Sequence, residues 1–164
     1  MTISRARVFV FAFGTKEHQA SQWLATEAQA FARAQCFGID TQPDITINPN
    51  FGDVWYIPEE PNAPSPTLRM ARAFVQRAKK NSIRYAFVFS AQPHQWRVMR
   101  DLRKANKELG NPIQQFVIPT VLKNKGDWFD PKSQQIHTRS KWNWHKREVL
   151  LWLMPFFIYK RIAS

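Results

Sequence analysis

"FVFSAQPHQWR", residues 87–97, decides how this chain is read. It passes from an unbroken apolar run, through a turn holding Pro93, to a histidine and an arginine three positions apart. A short continuous apolar run, rich in aromatic and β-branched groups, is the pattern of a strand covered on both faces. The polar, basic segment that follows has helical spacing. "RYAFVFS", residues 84–90, therefore reads as a strand, and a helix follows from about His94 to Leu109. Trp96, Met99 and Leu102 mark its apolar side, and Gly110, Asn111 and Pro112 stop it.

The same alternation recurs on either side. "RVFVFAF", residues 7–13, is a second covered strand ended by Gly14. A helix over Gln19–Gln35 follows, because Trp23, Leu24, Ala30, Phe31 and Ala34 recur at helical spacing, with Gly38 as its stop signal. Residues 40–66 are rich in proline and turn formers, and hold one short strand in "DVWYI" before the loop "PEEPNAPSP". Thr67 is placed to cap a helix ending near Lys80, with Leu68, Ala71, Phe74, Val75 and Ala78 on one face and Arg69, Arg72 and Arg77 elsewhere. "QQFVIPTVL", residues 114–122, supplies another strand, and "VLLWLMPFFIY", residues 149–159, a buried terminal helix kinked at Pro155.

Strands alternating with helices at this spacing predict βαβ units: a three-layer, Rossmann-like α/β domain with a mainly parallel sheet and helices on both faces. The length of 164 residues suits a single domain. In such sheets ligands lie outside the carboxyl ends of the strands. Gly14 to His18 and Ser90 to Arg97 thus fall on one edge.

Bulk composition narrows the partners without naming one. Twenty-four Lys and Arg against twelve Asp and Glu give a net charge of +12, which attracts nucleic acid, anionic lipid and phosphorylated small molecules alike. The single cysteine, Cys36, allows no internal disulfide and is expected to be a small buried side chain. The amino-terminal apolar run lacks a signal-peptide pattern, so a cytoplasmic location is expected, at most at the inner face of the membrane. The terminal apolar block is shorter than the roughly 20 residues of a membrane span, so no transmembrane segment is expected. Lys146, Arg147, Lys160 and Arg161 at its flanks keep an interfacial anchor open as the alternative to a buried helix.

Chemistry concentrates at the opening stretch. His94 and Arg97, one helical turn apart at a helix start, would join that helix's free amides in a phosphate or carboxylate pocket, with His94 as anion ligand or general acid and Arg97 as charge clamp. Ser90, at the strand end, would donate its hydroxyl to the same anion. The competing reading is a solvated basic stripe of Arg97, Arg100, Lys104 and Lys107. His18, His94, His137 and His145 lack metal-ligand spacing, so no metal site is expected, and neither a Walker-type loop nor a GxSxG elbow is present to name a cofactor or nucleophile. "HTRSKWNWHKR", residues 137–147, interleaves cations with Trp142 and Trp144, which suits either base stacking or a loop burying two tryptophans.

Taken together, "TLRMA" at 67–71, "FVFS" at 87–90 and "HQWR" at 94–97 resemble the bacterial domain-of-unknown-function family that includes SanA, ElyC and YdcF. That family opens one helix with Thr-x-x-Asn-Ala, ends a strand in Val-Thr-Ser and opens the next helix with His-x-x-Arg. Met70 stands where the family has asparagine, and the Ser-Gly-Gly and Glu-Ala motifs are not visible in residues 36–54. The resemblance implies a site lined by Thr67, Ser90, His94, Arg97, Glu60 and Glu148, with Gly14 and Thr15 giving backbone donors. It also implies a nucleotide-type ligand and a loose tie to cell-envelope biogenesis. Three functions follow from the sequence, an anionic small-molecule site being preferred over a nucleic-acid-binding protein and over a peripheral membrane module built on residues 146–161.

Overall fold

The computed structural model describes residues 5–58, 67–123 and 127–162. Five parallel strands form one sheet in the order β3-β2-β1-β4-β5, with β1 at Ala6–Val10, β2 at Gly38–Thr41, β3 at Val54–Tyr56, β4 at Tyr85–Phe89 and β5 at Gln115–Val117. Helices α1 (Gln19–Gln35), α2 (Thr67–Lys80) and α3 (Gln92–Glu108) connect them. The continuous apolar runs are explained by two cores. Val8, Val10 and Phe89 face α1 through Leu24, Ala28 and Ala32, whereas Phe9, Phe11, Ala86 and Val88 face α2 and α3 through Phe74, Val75, Val98 and Leu102. A strand buried on both sides has no polar face to alternate. The fold is Rossmann-like α/β.

The chain leaves β1 for β2 on one side and later returns for β4 on the other. The connections diverge at the carboxyl ends of β1 and β4, the position where such sheets place ligands. Val10 pairs with Phe89, and Phe11 N donates to Phe89 O at 2.8 Å, so the two strands stop level with one another. The loops 11–18 and 90–91 consequently share one rim.

Several boundaries differ from the sequence expectation. Residues 38–41 form β2, and Gly38 is a strand residue rather than a helix stop. A Cβ there would collide with the Arg7 guanidinium and the Asp53 carboxylate. Arg7 sits on β1 and threads past Gly38 to the carboxylates of Asp40 and Asp53. The helix is ended instead by Cys36 in the left-handed conformation, φ 55°, and Cys36 is exposed, not buried. Pro93 lies within the first turn of α3 rather than ahead of it, where its missing N–H has no intrahelical partner to lose. Trp96 is exposed, and the buried face of α3 carries His94, Arg97, Val98, Asp101, Leu102 and Ala105.

The carboxyl-terminal segment departs most from expectation. Two helices, α4 (Lys141–Leu153) and α5 (Phe156–Ile162), flank Pro155. Ser140 caps α4 by accepting from Asn143 N at 3.2 Å. Trp144 inserts into the core on the α1 side, while Tyr159, Leu151 and Met154 pack on Leu68 at the start of α2. The segment therefore crosses the carboxyl rim from one layer to the other. It is not a buried helix: Val149, Leu150, Trp152, Leu153, Phe157 and Ile158 are exposed. No helix of the described residues is long and apolar enough to cross a membrane.

Candidate functional site

Ser90, His94 and Arg97 lie at the rim, and all three are buried, with 0%, 7% and 5% of their surface exposed. The solvated-stripe reading of Arg97 is thereby excluded. His94 and Arg97 turn to the same side, with His94 Nδ1 3.4 Å from Arg97 Nη2. His94 Nε2 lies 3.3 Å from Thr67 Oγ1. Thr67 is the first residue of α2 rather than its cap, and its hydroxyl reaches across to α3. Arg97 Nη1 lies 3.4 Å from Glu148 Oε1 on α4. Four of the expected residues, Thr67, His94, Arg97 and Glu148, thus meet although up to 81 positions separate them in sequence.

Trp144 closes the cluster. Its ring centroid is 5.5 Å from His94 and 5.7 Å from His137, its face holds the Arg97 guanidinium at 5.5 Å, and its Nε1 donates to Pro93 O at 3.0 Å. Cation–π attraction is strongest where water is excluded, as here. Trp144 is 2% exposed and Trp142 68%, so the two do not form a joint stacking platform for bases.

Gly14 and Thr15 occupy the neighbouring loop, which reaches the cluster through Phe13, 4.6 Å from Trp144 between ring centroids. Gly14 has φ +92°, and a Cβ would stand 2.8 Å from the His18 ring. Thr15 O accepts from His18 N at 3.0 Å, and His18 Nδ1 caps α1 by accepting from Ala20 N at 3.1 Å. These bonds around Gly14 and Thr15 are local ones that shape the rim. Glu60 lies outside the described residues.

The cluster's charge is unbalanced. Burial, and after it the charges of Arg97, Arg147 and His137, holds the His94 imidazole well below the usual histidine value, so the ring is neutral at physiological pH. Burial, then Arg147 and Arg97, pulls His137 down to about 4. The Arg147 guanidinium is itself lowered by burial and by Arg97. Against these cations stands Glu148, whose carboxyl is raised by burial even though Arg97 and Arg147 pull it down. Arg100 pairs with Asp101 at 3.0 Å, and Asp101 also accepts from the Tyr159 hydroxyl. Three guanidiniums, Arg97, Arg100 and Arg147, therefore face two carboxylates, Asp101 and Glu148, in a water-poor setting.

Donor capacity is also left over. Ser90 Oγ and Arg97 Nε are buried and make no hydrogen bond among the described residues. Such groups normally find partners, since an unpaired buried polar group costs about 1–3 kcal/mol. An anion with several acceptor oxygens would satisfy both and neutralise the excess charge.

Sequence reasoning missed Arg147, His137 and the closing role of Trp144. A helical reading begun at Lys141 would have found the first and last, because Trp144, Arg147, Glu148 and Leu151 then fall on one face. Among the described residues no group of His, Cys, Asp and Glu has the arrangement of a metal site. No family model matches the chain, and comparison with curated proteins and with solved structures likewise returns no match.

Proposed function

We propose that this protein binds a phosphorylated small molecule, of nucleotide type, at the carboxyl edge of the sheet between β1 and β4. The observation that carries the reading is a buried Arg97 guanidinium with its Nε unpartnered and, at the end of the strand that leads into the same helix, a buried unpartnered Ser90 hydroxyl. Arg97 clamps the anion, Ser90 donates to it, and Thr67 orients the His94 ring. A bound dianion stabilises imidazolium, so His94, neutral where burial dominates, takes up a proton as ligand binds and becomes competent as a general acid. The likeness of Thr67, Ser90, His94, Arg97 and Glu148 to the SanA, ElyC and YdcF family belongs to the same proposal, with its expectation of a nucleotide-type ligand and an envelope role.

The test is a thermal-shift series with inorganic phosphate, pyrophosphate, nucleoside mono-, di- and triphosphates and sugar phosphates. One class should stabilise saturably, by about 2.7 kcal/mol at a hundredfold excess over Kd. Ser90→Ala, His94→Gln and Arg97→Lys should keep the fold and weaken that response tenfold or more. Equal stabilisation of wild type and all three variants would overturn the site. A response seen only with oligonucleotides, falling steeply with salt, would replace the proposal by nucleic-acid binding.

A further inference from the structure

Helix α4 exposes large apolar side chains that a water-facing helix normally buries. Its inner side carries Trp144, Arg147, Glu148 and Leu151, with Glu148 reaching Arg97. Its outer side carries Val149, Leu150, Trp152 and Leu153, and Phe157 and Ile158 are exposed on α5. These six side chains are from 38% exposed at Ile158 to 69% at Phe157. A surface helix normally buries its apolar stripe and hydrates its charges. Here Trp144 packs inward and Glu148 pairs with Arg97, so Val149, Leu150, Trp152 and Leu153 are left on the outside. Six large apolar side chains exposed on two successive helices are the kind of feature that marks an interaction surface.

The setting of the patch identifies what it meets. Trp142, Lys146, Val149, Leu150 and Leu153 follow at intervals of four, three, one and three residues and so share one face of α4. Lys146 Nζ lies over the Trp142 ring at 5.0 Å, Lys141 and His145 are exposed beside it, and Arg161 is exposed at the far end. Aliphatic and aromatic side chains flanked by Lys141, Lys146 and Arg161 match the boundary of an anionic bilayer, where tryptophan and basic groups sit at headgroup level. A second copy would press this basic rim and a chain of net charge +12 against their like. A nucleic acid offers nothing to bury Leu150 and Leu153. A helix of 13 residues followed at Pro155 by one of 7 lies in the interface plane rather than across it.

We propose that the outer face of α4 and α5 docks the protein on anionic lipid surfaces. Docking sets the carboxyl rim of the sheet against the membrane, since the same helix supplies Trp144 and Glu148 to the cluster. The inference stands independently of what that cluster binds.

The experiment is flotation of the full chain with phosphatidylcholine vesicles, with and without phosphatidylserine. Wild type should float with the anionic vesicles at least tenfold better than with the neutral ones. Leu153→Ser with Phe157→Ser, both exposed, should keep the circular dichroism spectrum and lose that binding tenfold, and Lys146→Glu should weaken it severalfold. Arg97→Lys should float as wild type does, which separates surface docking from capture of a headgroup at His94 and Arg97. Failure of wild type to float, undiminished flotation of the double variant, loss of flotation in Arg97→Lys, or a wild-type dimer that the double variant makes monomeric would each overturn the proposal.

Discussion

Trp144→Ala should both destabilise the protein and restore an ordinary titration to His94. Trp144 is almost wholly buried and touches Phe13, His94, His137 and Arg97. Truncating a fully buried aromatic side chain costs about 3–5 kcal/mol, and the Pro93 carbonyl it leaves unpaired accounts for about 1 kcal/mol of that. Against the usual stability of about 5–15 kcal/mol, the loss leaves a protein from the middle of that range folded. The electrostatic consequence follows from the cause of the histidine's depression, which is first of all burial. Removing the indole admits water to the ring and to Arg97, so the imidazole pKa climbs back toward the usual histidine value. Urea unfolding at neutral pH reads the first effect, and the carbon-bound proton signals of His94 across pH 4 to 8 read the second. Trp144→Phe, which keeps the ring packing and loses the hydrogen bond, should cost about 1–2 kcal/mol and move the titration less. A loss below about 1 kcal/mol for the alanine variant, together with superimposable His94 titrations, would refute the reasoning, because the indole would then neither pack nor exclude water.

Ser90→Ala should leave the empty protein as stable or up to about 1 kcal/mol more stable, since it removes a buried hydroxyl without a partner; urea unfolding measures it. Asp40→Asn should cost about 3 kcal/mol in the same assay, because the buried Arg7 guanidinium keeps only the largely exposed Asp53 as a charged partner. Gly14→Ala should cost about 1–3 kcal/mol by forcing a side chain onto φ +92° and against the His18 ring, and melting temperature should fall accordingly. His137 has a native pKa of about 4, so below the ordinary histidine value near 6.5 the unfolded chain binds the extra proton. Its contribution to stability is complete above pH 6.5 and is lost as pH falls toward 4, whereas the raised carboxyls of Asp40, Asp101 and Glu148 work in the opposite direction. His137→Gln should therefore flatten the acid limb of a stability profile relative to wild type.

The alternation of strands and helices was written in local sequence. "RYAFVFS" and "RVFVFAF" are apolar without alternation because both sheet faces are covered, and α1 runs over the residues its periodicity indicated. From that alternation alone, the carboxyl ends of β1 and β4 become the functional edge, and His94 with Arg97 falls on it. β2 was illegible because "GIDT" carries only one large apolar residue. It is a strand because Arg7 from β1 reaches past Gly38 to Asp40, and that pairing exists only when residues 33 positions apart have come together.

Tertiary structure alone decided the condition of the site. Spacing puts His94 and Arg97 on one side of a helix but cannot say that this side is buried, because helical periodicity is the same for a solvated face and a packed one. Burial of Arg97 depends on α4 laying Trp144 and Glu148 over it from about 50 residues downstream. The same docking fixes the rotation of α4. With Trp144 and Glu148 held inward against the rim, Val149, Leu150 and Leu153 are left facing outward, and a block of sequence apolar enough to be a core helix becomes an exposed surface. Local sequence sets which side chains share a helix face; only the charges and rings on neighbouring elements set which way that face turns.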